Sequence, residues 1–167
     1  MKEDERTRER PELEARVSAH PFLIGLSKHH IRLLIDCAML TRFGAGQRIF
    51  RTGETANRFY LIESGQVVLE AVAMGESPVP IDTVTAGGLL GWSWLFPPYL
   101  WHFDARATEP TTAIFFYGTV LREYCEKEPA LGYELFKRMS EVMIKRLQSA
   151  RDRLSDAMQG GKSERRP

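Results

Sequence analysis

Residues 46–70 read GQRIFRTGETANRFYLIESGQVVLE. Three short runs in and just beyond this stretch, QRIFR, RFYLIE and QVVLEAVA, are rich in branched and aromatic residues and are bounded by Gly, Asn or Ser-Gly. Such side chains suit the pleated, half-buried surface of a sheet, and glycine provides the sharp turns between strands. Gly75-Glu76-Ser77-Pro78 has the composition of a hairpin loop. Short strands with regular turn signals predict a jelly-roll barrel.

Outward from this core, the pattern changes on both sides. From Pro11 to about Leu40 it is helical: His20-Pro21 breaks one helix, Ser27 is an N-cap for the next, and Ile31, Leu34, Ile35 and Ala38 recur at helical spacing. At the other end Pro129 suits a first helical position, and nothing but Gly132 interrupts the helix to about Met158. Thirty residues at 1.5 Å make a rod of about 45 Å, long enough to overhang a domain of this size. Met139, Met143, Leu147, Ala150 and Leu154 form a coiled-coil-like seam along it, which predicts a homodimer or a larger complex. The class is α+β, a β jelly roll flanked by N-terminal helices and a long C-terminal helix. Residues 11–158 form one domain, and the polar ends, 1–10 and 159–167, are expected to be disordered.

The bulk composition excludes several classes. A net charge of +1 makes no electrostatic case for DNA as the partner. No apolar run reaches the ~18 residues of a membrane span. Eight of the first ten residues are charged, the opposite of a secretory signal, and two cysteines make no disulfide framework. The expectation is a cytoplasmic protein.

All three tryptophans lie in GWSWLFPPYLWHFDARA, residues 91–107. Residues 46–70 resemble the cyclic nucleotide-binding domain family, the sensor module of catabolite-activator-type and Fnr-type regulators. The resemblance rests on Gly46, the strand Ile49–Arg51, the turn Gly53-Glu54, the strand Phe59–Ile62 and Ser64-Gly65, with flanking helices in the family's layout, and spans roughly residues 15–158. It implies a ligand cassette in which a Gly-Glu takes the ribose and an Arg about nine residues later takes the cyclic phosphate. Here Gly87 and Gly91 match the cassette glycines and Ala107 the closing alanine, but the Glu position falls on Trp92 and the Arg position on Trp101. Arg106 is a poor substitute, about 17 Å along a strand from Trp101 and on its opposite face. Loss of the phosphate's charge partner costs about 2–5 kcal/mol, so ordinary cAMP binding is not expected. The altered cassette comprises Gly91, Trp92, Ser93, Trp94, Trp101, His102 and Phe103. Three readings of its aromatics stay open: a pocket filled by the protein itself, a flat ligand other than a cyclic nucleotide, or a partner surface.

No catalytic apparatus is present. The four histidines lack metal-ligand spacing, Ser93 has no nucleophile elbow, Cys125 reads as a structural thiol, and Gly87-Gly88 is only a turn. The regulators named above carry a helix-turn-helix beyond the long helix, which this sequence does not show. The motif GWSWLFPPY resembles a stand-alone branch of the family, including the accessory subunit found with soluble NAD-reducing hydrogenases. The resemblance therefore implies a non-catalytic regulatory or accessory subunit with a hydrogenase subunit as partner, no metal, and a nucleotide as the one cofactor to consider. The rival reading is a free-standing sensor of cAMP, cGMP or NAD(P)H.

Overall fold

The computed structural model describes the backbone of residues 2–163 and the side chains of residues 10–160. Two four-stranded antiparallel sheets pack face to face in a jelly roll. The first, in the order β1-β8-β3-β6, is built from Ala38–Phe43, Thr111–Tyr117, Arg58–Ser64 and Leu89–Leu90. The second, β2-β7-β4-β5, is built from Arg48–Phe50, Asp104–Ala107, Gln66–Ala71 and Val79–Thr85. Helices α1 (Lys2–Ala19), α2 (Lys28–Asp36), α3 (Gly118–Lys127) and α4 (Pro129–Ser163) flank the sheets.

Strands β3, β6 and β8 of the first sheet are largely buried on both faces, which explains their near-continuous apolar character, whereas the edge strand β1 is mostly exposed or half-buried. In β3, Tyr60 and Ile62 face the core between the sheets, with Phe50, Val67, Leu69, Leu90 and Phe115. Phe59 and Leu61 face a second core under the helices, with Leu34, Phe116, Leu121, Leu131, Leu135 and Met139. The β3–β4 turn requires Gly65: φ is +90°, and a Cβ there would stand 2.4 Å from the Thr111 hydroxyl oxygen.

Ser27 caps α2 as expected, its hydroxyl accepting from the His30 N–H at 3.1 Å. The helical reading to Leu40 is corrected: α2 stops at Asp36, and Ala38–Phe43 is the edge strand β1, in register with β8 from Ala38↔Phe116 to Phe43↔Thr111. A strand partner from the far end of the chain overrides the local pattern. Helix α1 begins at Lys2 rather than Pro11, in keeping with the high helix propensity of a Glu- and Arg-rich run. Helix α4 likewise continues past Met158 to Ser163, through the start of the expected tail; Met1 and residues 164–167 lie outside the described residues.

The seam on α4 is corrected in its first half. Met139 is fully buried in the domain's own core and is not available to a partner, whereas Met143 is half-buried against that core. From Leu147 to Gly160 every residue is exposed, Leu147, Ala150 and Leu154 among them. The exposed apolar residues Ile144, Leu147, Leu154 and Met158 follow a heptad spacing instead.

Candidate functional site

The segment between β6 and β7 begins at Gly91, passes through a single 3-10 turn (Ser93–Leu95) and a cis Pro97-Pro98 bond, and enters β7 at Asp104. Its far end is held by the loop after β2. The Gly53 N–H donates to Trp101 O at 2.8 Å, the Trp101 N–H to Glu54 O at 2.9 Å, and the Ala56 N–H to Tyr99 O at 2.7 Å. These bonds fix the backbone from which Trp101 projects. The strand therefore starts three residues later than the alternation from Trp101 suggested, but that residue is pinned nonetheless.

The three tryptophans go three ways. Trp101 enters the core between the sheets, 5% exposed, and stacks on Phe50 with ring centroids 3.8 Å apart and planes 10° from parallel. Its ring lies against Gly91, whose φ is +85°; a Cβ at that position would stand 2.6 Å from Trp101 Cζ3. A glycine in a position that the resemblance gives to phosphate binding thus makes room for an indole. Trp94 points into the core under the helices, fully buried, with Phe59 at 5.4 Å and the α3 start at Gly118. Its Nε1 has no hydrogen-bond partner, a polar group whose burial opposes folding.

Trp92 lines the cassette pocket without entering the core between the sheets. It is half-buried on the helix side, beneath the guanidinium of Arg146 from α4 at 4.9 Å from the ring centroid. Arg146 also pairs with Asp82 of β5 (Nε–Oδ2 3.0 Å) and donates to Leu89 O. Burial lowers the Arg146 pKa from its usual value, with Asp82 opposing that shift. The rest of the cassette follows suit. Ser93 is buried, His102 is exposed and Phe103 is half-buried. Between them, Phe50, Leu69 and the cassette enclose only about 30 Å³.

No cation reaches that space from β7. Ala105 and Ala107 face the core, and Arg106 on the other face pairs with Glu70 at 2.6 Å. Asp104, 5% exposed, accepts from the Thr52 N–H at 2.8 Å and lies 3.5 Å from Arg48.

Elsewhere the thiols are unreactive by environment. Burial pushes Cys37 up to about 12 and Cys125 to about 11, far from a thiolate at neutral pH. Among the described residues no group of His, Cys, Asp and Glu could hold a metal ion, and no helix is long and apolar enough to cross a membrane.

Residues 40–128, more than half of the chain, match the cyclic nucleotide-binding domain family, and the chain belongs to it. Among solved structures, a protein from Geobacter metallireducens GS-15 described as cyclic nucleotide-binding is 28% identical, with a TM-score of 0.71 over 80% of this chain and 96% of that one. A cyclic nucleotide-binding domain from Methylobacillus flagellatus KT is 17% identical, with a TM-score of 0.72 over 90% of this chain and 84% of that one. The regulatory domain of Toxoplasma gondii PKA, solved with cAMP, is 20% identical, with a TM-score of 0.68 over 83% of this chain and 52% of that one. No curated protein matches the chain.

Proposed function

We propose that this member of the cyclic nucleotide-binding domain family is a non-catalytic regulatory or accessory subunit that does not bind cyclic nucleotides and acts through its long helix. The observation that carries the reading is Trp101: stacked on Phe50 at 3.8 Å, it leaves about 30 Å³ in the cassette pocket. That volume is far below the roughly 300–1,000 Å³ of small-molecule sites. An indole face also carries negative potential and repels a phosphate, and no cation lines the pocket to attract one.

The test is titration calorimetry with cAMP and cGMP. Without the carboxylate and guanidinium contacts, no binding tighter than about 100 μM is expected. A low-micromolar constant for either would favour the rival reading of a free-standing nucleotide sensor; NAD(P)H belongs in the same titration. For the accessory role, the exposed run from Leu147 to Gly160 supports a protein partner, because its apolar residues are left in solvent by the described residues. A second copy and a soluble NAD-reducing hydrogenase are the partners to test, by sedimentation and by co-purification respectively.

A further inference from the structure

A second concavity is lined in part by Leu89 and by Arg146, the residue that covers Trp92. It is a cleft of about 430 Å³ between α4 and the turn that joins β5 to β6. On the α4 side Arg138, Glu141, Val142, Lys145 and Arg146 stand at i, i+3, i+4, i+7 and i+8, so all lie on one face of the helix. The opposite wall runs from Thr83 through Gly87-Gly88, and Pro21 and Phe22 close one side.

Of the three cations that line the cleft, Arg138 pairs with Glu134 and Arg146 with Asp82. That leaves Lys145 as the unpaired charge, with Glu141 the one acidic residue of the lining. Lys145 is exposed and has no ionic partner among the described residues. Arg138 is committed to the chain: its Nη1 donates to Phe22 O at 2.7 Å and Ile24 O at 2.9 Å. Arg146 is committed only in part. Asp82 takes its Nε and Leu89 O its Nη2, whereas its Nη1 is buried with no acceptor. A buried guanidinium nitrogen without an acceptor is an unfavourable arrangement that a bound oxyanion would relieve. The backbone donors of the turn are already used, Gly87 N–H by Ile62 O and Gly88 N–H by Thr85 O, so side chains would hold the anion.

We propose that this cleft is a ligand site for the phosphate group of a small organic molecule, with Lys145 and Arg146 as its cationic contacts. The volume exceeds that of a bare phosphate, and Pro21, Phe22 and Val142 offer an apolar wall for the organic part. The site is separate from the cassette pocket and stands whether or not that pocket takes a nucleotide.

Amide NMR of the full-length, nitrogen-15-labelled protein tests it, with inorganic phosphate and glycerol 3-phosphate titrated at constant ionic strength and chloride as the control. The Gly87 and Gly88 amides should shift saturably, with a Kd for inorganic phosphate of about 1 mM or tighter, while the Trp101 indole signal stays in place. Lys145→Glu should weaken binding at least about tenfold, and Lys145→Arg should retain it. The amide spectrum itself reports that each variant is folded. Shifts that are absent, that chloride reproduces, that survive Lys145→Glu, or that centre on the Trp101 indole overturn the assignment; Trp92, which lies under Arg146, is expected to respond with the cleft.

Discussion

Trp101 occupies the position that the family resemblance gives to a phosphate-binding arginine, and its packing is that of a core residue. A ring stacked at 3.8 Å on Phe50 and seated against Gly91 is part of the core between the sheets. Trp101→Ala should therefore cost about 3–5 kcal/mol, read as a lower urea midpoint. A midpoint close to wild type would sink the packing account. Trp101→Arg should not restore cAMP binding, because no carboxylate stands at position 92 to take the ribose. That tryptophans stand at the two positions the resemblance gives to Glu and Arg was legible in the sequence, since it needs only residue identity and spacing. The destinations of the three rings were not. Trp92 and Trp94 are two residues apart, yet one lies under Arg146 and the other is fully buried beside Phe59, a choice made by α4 and β3.

At the scale of elements, α4 is two things in one helix. Its first half buries Leu131, Leu135 and Met139 against the domain, and its second half leaves Leu147 71% and Leu154 63% exposed. If the second half pairs with another helix, the protein should sediment as a dimer or within a larger complex. Leu147→Glu should then release monomers while the thermal transition of the jelly roll stays within a few degrees of wild type, since a residue this exposed contributes little to the monomer's core. Wild-type protein that remains monomeric at high concentration, with no partner recovered from its host, would argue against the seam. The helix was legible from its periodicity; which residues of the seam were free was not, because Met139 and Leu147 look alike until the domain's edge is known. TTAIFFY of β8 carries the β-branched and aromatic signal, but its pairing with β1, far away in the chain, leaves no local mark.

Across the whole molecule, His20 ties the helical face to the jelly roll and makes stability depend on pH. It is 4% exposed; its Nε2–H donates to Ile62 O at 3.0 Å and its Nδ1 accepts from the Phe22 N–H at 3.2 Å, a tautomer assigned from these partners. Burial lowers its pKa from the ordinary value of 6.5, and protonation would remove the Phe22 bond. Above that value both folded and unfolded chains hold it neutral, and it adds no pH dependence. As the pH falls below 6.5 the unfolded chain takes up the proton first, and stability declines until the folded pKa is reached. The urea midpoint should thus fall between pH 7 and pH 5 more steeply in wild type than in His20→Gln; equal slopes would remove His20 from the account.

The sequence by itself determined the strands at 48–50, 58–64 and 66–71, the Ser27 cap and the long helix, because each depends on local period, turn chemistry or residue type. Tertiary structure alone decided that Ala38–Phe43 is a strand, that Met139 belongs to the core and that Trp101 closes the pocket. It also brought Arg146 to Asp82 and Trp92. These depend on partners distant in the chain, β8 for β1, Phe50 for Trp101 and α4 for the cassette, and local sequence carries no record of which distant surface it will meet.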